Sequence, residues 1–466
     1  MPAFDAKTLA AWTGGRWSAH PAASPTGFTA DSRRLLPGQA FVALKTSRRD
    51  GHDFLEEALK AGASAAIVAR KVPGTALAQL VVDDPLQALQ AIAREHRKTF
   101  RGTVIGVTGS AGETSTKELL SLLLGGEEGG ALSTEGNLNN HIGVALTLCR
   151  LDATRHTHAV IEAGISAPGE MRVLAGMIAP DMVLITLVAP AHLSDLGGIE
   201  GVAREKADLA RSLSGEGICI FPRACMEFGA FRSLPPARCV VVDRVSDVRG
   251  AQAPGRIPFA VSHSGANTTV ALGLGEEAAA FTLRRVTDGM AQNAAIAVCA
   301  AMRLGVRRDQ IQERVAAWLP SALRGEWRTS EGRRIYLDCY NANPASMADA
   351  LGAFDAVAPR DEPRLYVVGC MEELGQEAWR YHVELGRSLG LRRGDQLVAI
   401  GSLAGAIREG ALERGALAEQ IEVSESVGPL AERLSAFRGS VFVKGSRRHE
   451  LEKAFSGAQY AESSHA

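Results

Sequence analysis

The stretch TVIGVTGSAGETSTKELLSLLLG, Thr103 to Gly125, decides how the rest of the chain is read. Residues 103–107 form an apolar run that predicts a buried strand. Gly109, Ser110, Ala111 and Gly112 make a tight loop of small residues, and residues 114–124 have the composition of a helix. Strand, loop and helix in that order suit an anion, because a helix N-terminus points free N–H groups at what the loop encloses. The bland alternative is a plain strand–helix turn with Thr114 as a capping residue. In the phosphate-binding case the Thr114 hydroxyl would reach a Mg2+ that bridges nucleotide phosphates. One residue is out of place. Such loops carry a lysine after the last glycine, and that position holds Glu113.

Working outward, 466 residues are too many for one core and predict several domains. Hydrophobic residues make up 46% and charged residues 22%, an ordinary globular balance. A net charge of -1 gives no reason to expect nucleic acid or an acidic membrane as partner. The start MPAFDAKTLAAWTGGRW lacks the basic and apolar segments of a secretory leader, and no apolar run approaches membrane-spanning length. The seven cysteines are scattered without a C-x-x-C pair, which argues against a disulfide framework or zinc site and fits a reducing cytoplasm.

Residues 1–100 alternate short strands ("GQAFVAL", "ASAAIVA") with the helix "HDFLEEALKAGA", which predicts a small α/β domain. Residues 101–318 hold the glycine loop and the strands "THAVIEAG", "DMVLITLV", "GICIFP" and "RCVVVD" among helices, which predicts a central, largely parallel sheet. Residues 319–466 restart with "RRIYLDCY", "RLYVVG", "QLVAIG" and "SVFVKG" and predict a Rossmann-like third domain. "GGEEGG" at 125–130 is expected to be a flexible loop, and the tail "AESSHA" to fray.

Several side chains then stand out, each with a bland counterpart. Glu162 ends an apolar strand, where open α/β sheets bind ligands, and a carboxylate there is a good Mg2+ ligand or an ordinary surface glutamate. His192 follows another strand and Lys206 lies on the next helix; alone, each reads as structural or solvated. The asparagines of "STEGNLNNHIGVALTL" suit a loop, yet their amides could contact a nucleotide. "YLDCYNANPASM" puts Asp338 at a strand end, and "KGSR" at 444–447 clusters cations at another.

These pieces, in this order, resemble the Mur ligases, the ATP-dependent amide-forming enzymes of peptidoglycan precursor synthesis, and among them the MurF type. The resemblance spans nearly the whole chain and rests on "DSRRLLPGQAFVAL" with "DGHDF", "TEGNLNNHIGVALTL", "APAHLSDLGGIEGVAREK", "YNANPASM", "MEELG" and "KGSR". It implies an α/β protein of three domains, holding the UDP-sugar peptide, then ATP and Mg2+, then closing over both. It implies a cytoplasmic enzyme, monomeric in expectation, that joins D-alanyl-D-alanine to UDP-N-acetylmuramoyl-tripeptide through an acyl phosphate.

The resemblance also assigns roles. Gly109, Ser110, Ala111, Gly112, Glu113, Thr114 and Ser115 would surround the ATP phosphates, with Asn137 nearby. Thr114 and Glu162 would hold one Mg2+; His192 and Lys206 would serve a second, the lysine as a carbamate. Glu162, His192 and Lys206 are thus the catalytic candidates. Asn293 would meet adenine, and Arg324 and Asp338 would reach ATP from the third domain. Ser32 and Arg33 would contact the uridine nucleotide, and Asn341 and Asn343 the dipeptide end.

Against the family pattern, Glu113 removes a cation and adds an anion beside a triphosphate. A charge-assisted contact is worth roughly 1.5–3 kcal/mol, so a loss of about two orders of magnitude or more in turnover is expected. Lys117 lies one turn further along the helix and is not expected to replace the lysine. Ser166, Gly289 and Cys370 also depart from common family residues, as does "TLVAPAH". Two other readings stand beside the ligase: a non-catalytic protein that holds UDP-muramoyl peptide, favoured by Glu113, and a related ligase with another acceptor, such as folylpolyglutamate synthase, disfavoured by "DSR" and "YNANPASM".

Overall fold

The strand Thr103–Thr108 lies inside a nine-stranded sheet, paired in parallel with His158–Glu162 on one side and Met182–Ile185 on the other. Its residues beyond Thr103 are all buried, as expected of a strand covered by helices on both faces. This is a computed structural model in which residues 3–249, 254–274, 277–330, 332–428 and 430–455 are described. The tail read as frayed lies outside them.

From Thr103–Thr108 the sheet continues in one direction through His158–Glu162 to Ala131–Ser133. In the other it runs through Met182–Ile185, Ile218–Pro222 and Cys239–Arg244 to Arg256–Ser264, all parallel. Two further strands, Asn267–Leu274 and Glu277–Arg284, extend it antiparallel. Sequence reading did not single out these last three strands. The helix Asp288–Arg303 packs against this edge, and its small buried residues let it lie close to the helix Glu113–Leu123.

Upstream is a five-stranded sheet in the order Arg16–Trp17, Gln79–Val81, Ala65–Val68, Ala40–Val42, Phe28–Thr29, antiparallel only in its first pair. The helix Pro85–Thr99 covers it and also packs on Gly143–Leu148 and Glu170–Ile178 of the central unit. One apolar cluster therefore runs through both units. Buried Arg97 ties them further, donating to the carbonyls of Ile178 at 2.9 Å and Ala179 at 2.8 Å and to Asp181 at 3.0 Å.

The third sheet has the order Glu326–Ser330, Arg333–Asp338, Ser440–Lys444, Arg364–Gly369, Gln396–Ile400, Ile421–Ser424. All pairs are parallel except the first hairpin. Ser440–Lys444, the last of the described strands, fills the gap between Arg333–Asp338 and Arg364–Gly369, so Asp338 and Lys444 end side by side.

Two expectations need correction. The loop helix begins at Glu113 and ends at Leu123, one residue earlier than predicted at each end. The segment 125–130 is a series of hydrogen-bonded turns rather than a free loop: Gly126 N–H donates to Ser121 O at 2.8 Å, Gly129 to Gly125 at 3.0 Å and Ala131 to Gly126 at 2.9 Å. Glycines allow the positive φ these turns require.

Candidate active site

The carboxyl ends of the central strands and those of the third sheet face a common cleft of about 440 Å3. It is lined by the glycine loop and helix start (Gly109, Ser110, Ala111, Gly112, Glu113, Thr114, Ser115), by Asn137, Glu162, His192, Lys206 and Asn293, and by Arg324, Asp338, Asn341 and Asn343 from the third unit. Residues far apart in the sequence are thus brought together. Ser32 and Arg33 are not among them. They sit on the N-terminal unit, where Ser32 Oγ donates to Glu57 at 2.9 Å and Arg33 pairs with Asp31 at 2.7 Å.

At the loop, Gly112 adopts φ +83°, and a Cβ there would lie 2.0 Å from Asn293 Nδ2. Only glycine lets the loop approach the helix that carries Asn293. The buried Asn293 Oδ1 has no hydrogen-bond partner, an acceptor left for a ligand amino group.

Thr114 Oγ1 donates to Glu162 Oε1 at 3.0 Å, and Asn139 Nδ2 donates to the same oxygen at 2.9 Å. Glu162 Oε2 is buried without a hydrogen-bond donor; the nearest cation is Lys117 Nζ at 4.0 Å. An orphan carboxylate oxygen beside a hydroxyl is a hard oxygen pair that suits Mg2+. Asn139 was missed in favour of Asn137. Three asparagines in four residues, 137–140, identify a loop but not which amide turns inward.

Lys117 is buried under the loop helix, its Nζ donating to Thr134 O at 2.8 Å. It neutralises Glu162 from below and does not line the cleft.

The second set behaves differently. Lys206, on the helix Ile199–Arg211, is buried and donates to the carbonyl of Gly109. As an ammonium it fits no metal. Burial pushes it below its ordinary value, with Glu113 the largest opposing charge. Burial likewise pushes the Glu113 carboxyl up to about 7, opposed by Lys206, reinforced by Glu162 and opposed again by Arg324. Glu113 thus faces one anion and two cations. His192 opens a short helix with φ 51°, its Nδ1 against the Glu373 carboxylate.

The third unit closes the cleft with directed contacts. Arg324 Nη2 donates to Thr114 Oγ1 at 3.2 Å, and its guanidinium stacks 4.0 Å from the Tyr340 ring centroid. Asn343 caps the helix Pro344–Val357 and donates its Nδ2 to Ser110 O at 2.7 Å, so its amide is spent on capping and on the loop. Asn341 Oδ1 accepts from Ala342 N–H at 2.9 Å. Lys444 Nζ pairs with Asp338 at 2.6 Å. Burial raises Asp338, and Lys444 opposes the rise. Gly289 N–H donates to Asp349 Oδ1 at 2.9 Å, and a Cβ at 289 would sit 2.6 Å from Oδ2. The glycine at this departure from the family is what admits Asp349.

A phosphate loop on a parallel sheet, faced by an Mg2+-competent carboxylate and closed by the arginine and lysine of a Rossmann-like unit, defines a nucleotide-binding protein whose site spans two domains. Family models match in series: Mur ligase family, catalytic domain, over residues 25–97; Mur ligase middle domain over 107–301; and Mur ligase, glutamate ligase domain, over 323–447. The UDP-N-acetylmuramoyl-tripeptide–D-alanyl-D-alanine ligase of Escherichia coli is 30% identical over 454 residues, covering 92% of this chain and 93% of the relative. The crystal structure of MurF from Acinetobacter baumannii aligns with a TM-score of 0.84 at 28% identity, covering 98% of each chain. That of the MurF ligase from Thermotoga maritima in complex with ADP aligns at 0.77 and 26% identity, covering 92% and 96%. The chain belongs to the Mur ligase family, and the relatives named here are of the MurF type.

Proposed function

We propose that this chain joins D-alanyl-D-alanine to UDP-N-acetylmuramoyl-tripeptide at the expense of ATP, in the cytoplasmic synthesis of peptidoglycan precursor. The observation that carries this is the two-domain cleft, in which the phosphate loop faces cations and carboxylates from the third unit. The relatives named for this ligation match over nine-tenths of the chain.

In the first step the terminal tripeptide carboxylate forms a bond to the γ-phosphorus, and the β–γ bridging oxygen leaves with ADP. In the second, the dipeptide amine bonds to the carbonyl carbon and loses a proton, and orthophosphate departs. Carboxylates are poor electrophiles, so phosphorylation is what supplies a leaving group. Two anions must meet, and this chain's residues have to screen them. Loop N–H groups and Arg324 take the phosphates. Thr114 and Glu162 would hold Mg2+, which when bound neutralises phosphate charge. Asn293 would accept from the adenine amino group. Asp338 holds the buried Lys444 ammonium where the third unit lines the cleft, which keeps a cation near the transferred group. Closure by the third unit excludes water from the acyl phosphate.

The finer assignments belong to the same proposal. The chain divides near residues 100 and 318 and acts as a monomer. Ser32 and Arg33 take the uridine nucleotide, Asn341 and Asn343 border the dipeptide end, and Asn137 lies by the phosphates. A carbamate on Lys206 would exchange its ammonium for oxygen donors and so let it join His192 at a second Mg2+. Glu113 favours one other reading, a protein that binds UDP-muramoyl peptide with little or no turnover.

The test is mass spectrometry of the nucleotide product after incubation with UDP-N-acetylmuramoyl-tripeptide, D-alanyl-D-alanine, ATP and Mg2+. Gain of the dipeptide mass with ADP release supports the ligase. Tight tripeptide binding with no product, in this chain and in Glu113→Lys, supports the binding protein instead.

A further inference from the structure

Among the described residues, five that are not glycine have positive φ: Ala179, His192, Leu323, Glu373 and Glu450. A side chain in this region is strained and persists where its surroundings over-determine it. Two of the five touch each other where the third unit meets the central one. Glu373 (φ 64°) lies in the turn after the strand Arg364–Gly369, and His192 (φ 51°) opens the helix Leu193–Leu196 of the central unit.

The contact has two parts. The Glu373 carbonyl accepts from Leu193 N–H at 3.0 Å, and its carboxylate meets His192 Nδ1. The next glycine, Gly375, approaches Ser194 so closely that a Cβ would lie 3.2 Å from its Cα. Glu372 faces the other way. Its N–H donates to Ser446 Oγ at 3.1 Å, and its carboxylate lies 3.4 Å from Arg448 and 3.6 Å from His449. The turn is a clasp: Glu372 fastens it to the third unit and Glu373 to the central one. The Glu373 side chain is 54% exposed, so burial does not hold it there.

We propose that Glu373 is a positioning residue that couples docking of the third unit to the orientation of His192. One carboxylate makes both events a single contact. It lies against the Nδ1 side of the imidazole and so restrains the ring. His192 is then held for its task only while the third unit is docked. This rests on the ligase reading for its kinetic consequence, but not for its structural one.

Glu373→Ala, Glu373→Gln and Glu373→Asp test it in the full chain, each with and without Glu113→Lys. Gln can still bond Nδ1, whereas Asp is one methylene short. Hydrogen exchange in the substrate-free protein is expected to quicken at least tenfold at residues 193–196 in the Ala and Asp variants and to stay unchanged in Gln. ADP affinity, which the glycine loop governs, is expected to stay within about twofold. In the ligation assay kcat is expected to fall about tenfold or more for Ala and Asp, with KM for ATP little changed and Gln within threefold of the parent. Unchanged exchange and kcat in Glu373→Ala would overturn the proposal. So would a parallel loss of ADP affinity, or failure of Gln to rescue, because either marks a general structural role. If no variant or parent forms product, the ligase reading fails, and the exchange experiment still decides whether the clasp exists.

Discussion

Replacing Glu113 by lysine is expected to raise kcat/KM for ATP by about two to three orders of magnitude, and the structure supplies the terms. The carboxyl is raised to about 7 by burial, opposed by Lys206 and raised further by Glu162. At pH 7.5 it is mostly ionised, and the cheapest way to admit a triphosphate is to protonate it, at a cost of about 1 kcal/mol. The missing lysine forfeits a charge-assisted contact of about 1.5–3 kcal/mol. Together these come to about 2.5–4 kcal/mol, or roughly 70- to 900-fold. Glu113→Gln removes only the anion and should recover about fourfold at pH 7.5. Lys117 cannot narrow the gap, since its Nζ is bound to Thr134 O beneath the helix. The assay is orthophosphate release at limiting ATP, with tripeptide and dipeptide saturating, for the parent and both variants. Equal gains from Gln and Lys would mean that the anion was the whole defect. No gain from Lys would refute the reasoning: the Glu113–Lys206 pair would then be the working arrangement, with Lys206 supplying the loop's cation.

Three further outcomes are expected. Lys117→Met leaves buried Glu162 without its nearest cation and should lower stability by about 3–5 kcal/mol, read as a shifted urea midpoint. Gly289→Ala drives a methyl to 2.6 Å from Asp349 Oδ2 and should strain the interdomain contact by about 1–3 kcal/mol, seen as a raised KM for ATP that Asp349→Ala relieves in the double variant. Asp395→Asn breaks the buried Arg364 pair, 2.6 Å long, and should cost about 3–5 kcal/mol at pH 7. Burial raises Asp395, but hydrogen bonds from Arg364 and Arg392 outweigh it and hold the folded carboxyl below its ordinary value. Its contribution is therefore present above about pH 4 and lost as pH falls through the folded value. The difference between parent and variant in chemical denaturation should shrink from pH 7 to pH 3.

By itself, the sequence determined the parallel strands around the glycine loop, the helix that follows and the Rossmann-like restart near residue 319. Those signals are local: unbroken apolar runs mark buried strands, and small residues mark the turns between them. It also marked Thr114 and Glu162, because helix starts and strand ends are where open α/β sheets present chemistry, whereas His192 and Lys206 stood out only through the resemblance to the Mur ligases. The strands Arg256–Ser264, Asn267–Leu274 and Glu277–Arg284 escaped notice because half-exposed strands lack an unbroken apolar run. Only the tertiary structure decided which asparagine of 137–140 meets Glu162, that Lys117 turns inward, and that Asn343 is spent on the loop. Only it brought Asp349 against Gly289 and Glu373 against His192. The contacts of Asn343, Asp349 and Glu373 depend on how one packed unit sits against another, those of Lys117 and Asn139 on packing inside the central unit, and partners 17 to 233 residues apart leave no periodicity in the sequence they meet.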